Sequence, residues 1–263
     1  MGGTAAGTVF LMYHELEVAG RDLCEREEGY VRYVLAAEHF REHLSRMGAK
    51  GWGGWSVTEA RARGAGEGAG VCLTFDDGCE TDLIVAAPLL LERGFNATFY
   101  VTWAHVGRRG YLSAAQLREL SDLGFEVGSH SLTHSYLNDL PPERLRAEVA
   151  ESKERLEQLT GRRVAHFSCP GGRTNALVTE AARAAGYESV ATSRLGVNAP
   201  GADPFALARV AVMRGTTGES FERLCRAEGF GLRRVRGAFL TAAKRVLGNA
   251  VYEKVRATAL GRH

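Results

Sequence analysis

The sequence predicts a parallel α/β barrel. Short apolar runs of strand length recur about seven times, and helical patterns separate most of them. Parallel strands need such crossovers, and when covered on both faces they read as continuous apolar runs. The chemically capable residues are also spread along the chain: His14, the pair Asp76 and Asp77, His130, and the pair Cys169 and Pro170 fall at or just past the ends of four different runs. That is the rim where a βα-barrel builds its site. An open doubly wound sheet would gather its site mainly at one switch point.

The expected strands are TVFLMYH from Thr8, VCLTF from Val71, ATFYV from Ala97, FEVGSH from Phe125, VAHFSC from Val164, SVATS from Ser189 and ALARVAV from Ala206. Each is β-branched, aromatic or apolar, with turn-forming neighbours. Helical periodicity fills AAEHFREHLSRMG, TDLIVAAPLLLERG, SAAQLRELSDLG, PPERLRAEVAESKERLEQLTG and NALVTEAARAAG. Several of these close on Gly94, Gly124, Gly161 or Gly186, the residue type that best ends a helix. The segment from Gly51 to Gly70, GWGGWSVTEARARGAGEGAG, is expected to be a flexible glycine-rich connector or surface loop. No repeat of solenoid period is present.

The 263 residues are enough for one large core, and 45% hydrophobic with 24% charged side chains is an ordinary globular balance. Net charge is +2, from 33 basic and 31 acidic residues, so nothing global points to nucleic acid. Five cysteines without CxxC spacing argue against a disulfide framework or a zinc knot. No basic segment precedes the first apolar run, and no run reaches the roughly 18 to 20 apolar residues of a membrane span. A cytoplasmic location is the expectation.

In VCLTFDDGCE an apolar strand ends in two adjacent carboxylates, Asp76 and Asp77, whose mutual repulsion calls for a cation. His130 and His134 in EVGSHSLTH stand four apart, as metal-binding histidine pairs on one helical face often do. Two imidazoles and one carboxylate leave a coordination position open, the pattern of a catalytic metal. Neighbouring side chains on an extended chain point apart, so one aspartate can hold the metal while the other accepts a proton. The bland alternative is a solvated Asp-Asp-Gly turn.

These residues resemble the polysaccharide deacetylases, the NodB-homology domain of carbohydrate esterase family 4. TFDDG at 74–78 and HSLTH at 130–134 look like the first two family motifs. The resemblance continues through YHEL near the start, Phe40 to Leu44, GFNATFYV, and FSCPGGR at 167–173, in the family's order. It implies a distorted (β/α)7 barrel in which Asp77, His130 and His134 hold a divalent metal, commonly Zn2+, with Co2+, Ni2+ or Fe2+ as alternatives. Asp76 would be the base, and the substrate an N-acetylated amino sugar in a glycan or glycoconjugate. The FSCPGG turn, with Cys169, Pro170 and Gly171, would face the substrate and offer backbone donors to the oxyanion.

The chain departs from that pattern in three places. The third motif should begin with an arginine that orients the base; Arg173, after the turn, is the substitute expected here. The late Leu-x-His acid is missing, since no histidine lies between His166 and His263, and His14 in LMYHEL is the expected replacement. Cys169 is expected to be packing rather than a nucleophile, and the tryptophan of motif four has no equivalent. An amidase acting on a non-sugar amide and an inactive glycan-binding module stay open as alternatives. The barrel is expected over 1–228, followed by a basic amphipathic helical tail over 229–263. That tail would either pack on the barrel or lie on an anionic membrane surface.

Overall fold

The computed structural model describes residues 7–63 and 68–230. Its frame is seven parallel strands: β1 (Val9–Tyr13), β2 (Gly70–Phe75), β3 (Thr98–Val101), β4 (Glu126–Ser129), β5 (His166–Ser168), β6 (Ser189–Ala191) and β7 (Val210–Ala211). They pair in the order β7-β1-β2-β3-β4-β5-β6, and every pairing is parallel. The sheet curls until its two edges meet at one bridge between Ala191 and Leu207, three residues before β7. The result is the distorted seven-stranded barrel, with each expected apolar run supplying one strand.

Helices cover the outside: α1 (Ala37–Ala49), α2 (Val57–Ala62), α3 (Ala87–Leu91), α4 (Ala114–Asp122), α5 (Pro142–Thr160), α6 (Ala176–Ala184) and α7 (Gly218–Cys225). The expected helix after β2 begins as a π-turn, Asp82–Ala86, before α3. Pro88 has no N–H to bond Ile84, which favours the widened turn there. Gly161 closes α5 in the left-handed conformation, φ 66°. Side chains alternate across the strands. Tyr13, Phe75 and Phe99 stack on one face at centroid separations of 5.1 and 4.8 Å, with Phe40 of α1 edge-on to two of them. Each such buried ring stabilises the fold by about 1.5–3 kcal/mol.

The connector expected over 51–70 is largely built structure. Gly53–Trp55 is a strand parallel to β2, and α2 follows at once. Ser56 and Glu59 form a capping box, each side chain bonding the other's backbone N–H. The S-x-x-E signature was present in the sequence, hidden inside the glycine-rich context. Val57 and Ala60 pack on Phe10, Cys72, Tyr100 and Leu207, closing the end of the barrel where the strands begin.

The described residues up to Ala227 form one compact unit. The basic tail expected over 229–263 lies outside the described residues from 231 onward. Among the described residues no helix is long and apolar enough to cross a membrane.

Candidate active site and metal centre

Strand β2 places Cys72, Thr74 and Asp76 on one face by its two-residue period. Asp77 then takes φ 81° and Gly78 φ 77°, which turns the chain off the rim. A left-handed non-glycine residue costs energy that the surroundings must supply, and such residues concentrate at functional sites. Ser131 and His134 share the feature, at φ 70° and 65°. His130 and His134 therefore do not sit on a helical turn, as their spacing suggested; a non-helical loop after β4 brings them together. Ser131 Oγ accepts the His134 N–H at 3.0 Å. Buried Glu148 of α5 accepts the N–H groups of Leu132 (3.1 Å) and Thr133 (2.9 Å) and the Thr133 hydroxyl (2.6 Å). Glu148 thus fixes the middle of the loop, while the Ser131 and Leu132 carbonyls accept the Trp103 and Ala104 N–H groups.

Asp77 Oδ1 lies 3.3 Å from His134 Nε2 and 3.5 Å from His130 Nε2. It is buried and receives no hydrogen bond. His130 Nδ1–H donates to the Ser168 carbonyl at 2.9 Å, which leaves the Nε2 lone pair facing Asp77. Burial pushes His130 down to about 4, despite Asp76 and Asp77 nearby, so the ring is neutral as a ligand must be. Burial would raise Asp77, but His134, His14 and His130 outweigh it and hold the carboxyl well below its usual range. Three donor atoms from Asp77, His130 and His134 lie within 4.8 Å of one another. A buried carboxylate oxygen facing two imidazole nitrogens fits a divalent cation. The His134 side chain is 39% exposed, so this flank of the site is open.

Asp76 is held in a different way. Arg209, wholly buried, bonds it with both ends of its guanidinium, Nη1 to Oδ1 at 2.7 Å and Nη2 to Oδ2 at 2.8 Å. The same group donates to Ser168 Oγ (2.7 Å), Thr74 Oγ1 (3.2 Å) and the Thr192 carbonyl (3.1 Å). Burial raises the Asp76 carboxyl, and Arg209 with His130 and His14 outweighs it, so it stays ionised at neutral pH. Arg209 was missed in the sequence. Its signal was a lone charged residue inside ALARVAV, a run otherwise read as a buried strand.

Arg173 does not take that role. It is half exposed, 3.5 Å from Asp139 and over the Tyr136 ring. Ser168 stands where an arginine was expected, and its small side chain leaves the space that the Arg209 guanidinium fills. Cys169 is fully buried, and burial pushes its thiol up to about 12. A neutral buried thiol is not a nucleophile. In the turn, the Cys169 N–H bonds the Ala191 carbonyl, Pro170 has none, and the Gly172 N–H bonds the Cys169 carbonyl. Gly171 holds φ 63° beneath Tyr136, where a Cβ would come within 2.6 Å of the ring. His14 ends β1 at the rim with its ring 4.8 Å from Tyr33 and a buried Nδ1 that has no hydrogen-bond partner. His105, assigned no role from sequence, lies 5.8 Å from the His134 ring at the edge of the site.

Residues 63–190 match the family model described as polysaccharide deacetylase. The chain is 31% identical over 151 residues to a protein of Bacillus subtilis named as a polysaccharide deacetylase, YxkH, covering 57% of this chain and 54% of that one. It is 32% identical over 121 residues to a peptidoglycan-N-acetylglucosamine deacetylase of Bacillus cereus, covering 46% and 54%. The chain thus spans about half the length of these curated relatives. Among solved structures, the Streptococcus pyogenes deacetylase PplD, in complex with acetate, superposes with a TM-score of 0.73 at 22% identity, over 83% of this chain and 98% of that one.

Proposed function

We propose, from the match of residues 63–190 to the polysaccharide deacetylase model, that the chain is a polysaccharide deacetylase, a metal-dependent N-deacetylase acting on an acetamido sugar of a glycan or glycoconjugate intermediate. The observation that carries the reading is the division of labour between neighbours: Asp77 faces two histidines with an unpartnered oxygen, while Asp76 is aimed and kept ionised by Arg209. A binding module needs no such pair.

A divalent cation held by Asp77, His130 and His134, Zn2+ being the best match to two imidazoles and a carboxylate, would polarise the acetamide carbonyl and lower the pKa of the attacking water. Asp76 takes the proton from that water as its oxygen adds to the carbonyl carbon. Arg209 and Ser168 fix the carboxylate, so little reorganisation is needed when the proton moves. The Gly171 N–H is the amide of the 169–172 turn not committed to the bonds described above, and is the backbone donor assigned to the oxyanion. His14, just past the end of β1 on the same rim, delivers a proton to the amine as the C–N bond breaks. The products are acetate and a free amino sugar.

The test is acetate release from a panel of N-acetylhexosamines, free, oligomeric, nucleotide-linked and lipid-linked, by zinc-reconstituted protein. Turnover on none of them at full metal occupancy would sink the reading. Asp76→Asn is expected to keep its metal and lose turnover, and Asp77→Asn to lose metal; metal analysis beside activity separates the two. His14→Ala should keep metal and slow turnover by roughly 10²-fold or more.

A further inference from the structure

A second group of metal-type donors lies on the same rim, outside the catalytic set. Cys24, from the segment after β1, and Cys79, from the turn after β2, bring their Sγ atoms to 3.8 Å. A Glu15 carboxylate oxygen lies within 4.8 Å of both. Three distant pieces of chain meet here, because Cys24 Sγ also approaches the Gly110 carbonyl at 3.1 Å. Tyr30 braces the group, its hydroxyl 2.9 Å from Glu15 Oε2 and 3.4 Å from Cys79 Sγ. The Cys24 N–H completes it by donating to Glu15 Oε2 at 3.0 Å.

Two features point to a cation. Two thiolates on one tetrahedral zinc, each about 2.3 Å from the metal, stand about 3.8 Å apart, whereas a disulfide brings its sulfurs to about 2.05 Å. Beside the cluster, Asp82 is fully buried with neither carboxylate oxygen hydrogen-bonded, and its N–H bonds the Cys79 carbonyl at 3.0 Å. Arg21, the basic side chain that acts on Glu15, is itself paired with Glu80 at 2.5 Å. An orphaned buried carboxylate next to two thiols and a glutamate describes a site short of positive charge.

We propose that Cys24, Cys79 and Glu15 bind a second divalent ion of the zinc class, distinct from the ion of Asp77, His130 and His134. Thiolate donors select Zn2+ over Mg2+ or Ca2+, and each thiol gives up its proton on binding. The ion ties the chain just after His14 to the chain just after Asp77 and Gly78. It therefore fastens both sides of the catalytic rim without touching substrate.

Cobalt(II) reads the two sites separately, because the catalytic set has no sulfur. Full-length protein, reduced, stripped and reloaded with Co2+, is expected to take two ions per chain and to show thiolate-to-cobalt charge-transfer absorption in the near ultraviolet. Cys24→Ser and Cys79→Ser should each lose that band and one ion while keeping the visible absorption of the histidine site. His134→Ala should keep the band. If the serine variants fail to fold, the wild-type measurement still decides: one ion per chain and no band with both thiols free overturns the proposal. So does a Cys24–Cys79 disulfide in the isolated protein whose reduction yields no band. Acetate release without the band leaves the deacetylase reading intact, and the band without acetate release does the reverse.

Discussion

Arg209 and Asp76 form a fully buried ion pair whose worth lies in orientation more than in net stability. Removing two ions from water costs several kcal/mol each, and their attraction with good hydrogen bonds about balances that cost. Removing one partner is another matter. Arg209→Met is expected to destabilise the protein by about 3–5 kcal/mol, because it leaves Asp76 charged, buried and unpaired. Adding Asp76→Asn to that variant should recover a large part of the loss, and chemical denaturation of the four proteins in the cycle measures it. Equal destabilisation of the single and double variants would show that the guanidinium acts through packing. The aspartates and histidines of this site were legible in the sequence because two short motifs hold them. Arg209 was not, because its role depends on which strand closes the barrel, and no local spacing encodes that.

At the scale of elements, α1 and α7 are joined by an Arg46–Glu222 ion pair at 2.9 Å and by a buried histidine. His43 on α1 stacks on Phe221 of α7 at 3.9 Å, donates from Nε2 to the Thr216 carbonyl at 2.8 Å, and lies 3.2 Å from the Tyr13 hydroxyl through Nδ1. Burial, partly offset by the Thr216 carbonyl, pushes it down to about 4 from the usual 6.5, so the folded protein holds it neutral. The unfolded chain binds its proton below about 6.5 and the folded chain only near 4, so this contribution is complete above about pH 6.5 and is lost as pH falls toward 4. The slope is at most about 1.4 kcal/mol per pH unit. Denaturation midpoints of wild type and His43→Gln across pH 4–7 should diverge toward neutral pH and converge toward the acid end; parallel curves would refute the assignment. Elements themselves were largely legible: hydrophobic period and glycine stops marked the seven strands and most covering helices. What escaped was α2, whose capping box lay among glycines, and α7, whose apolar face is short. The histidine loop also escaped, since i, i+4 spacing suggests a helix and only the left-handed Ser131 and His134 reveal otherwise.

At the scale of the whole molecule, closing the barrel and arming the base are one event. The segment from Leu207 to Ala211 pairs with β6 through Leu207, whose N–H bonds the Val190 carbonyl at 3.0 Å, and with β1 through Val210 and Ala211. Arg209 lies between these two attachments, so its guanidinium reaches Asp76 only when both edges are joined. Asn198 braces the seam: its side chain donates to the Ala208 carbonyl at 2.8 Å and accepts the Ala208 N–H at 2.9 Å, while its backbone pairs with Thr8. Asn198→Ala removes both side-chain bonds and leaves two buried backbone groups unsatisfied, at a cost of about 1–3 kcal/mol for each. Because the bonds of Asn198 go to Ala208 and Thr8 and not to Asp77, His130 or His134, metal content should stay at the wild-type level. Turnover should fall through kcat rather than KM, as Arg209 loses its fixed register against Asp76. Faster hydrogen exchange at Leu207, Ala208 and Val210 would accompany it. Metal loss in step with activity would instead mean that the seam supports the metal centre, and unchanged kcat with faster exchange would separate barrel closure from the orientation of the base.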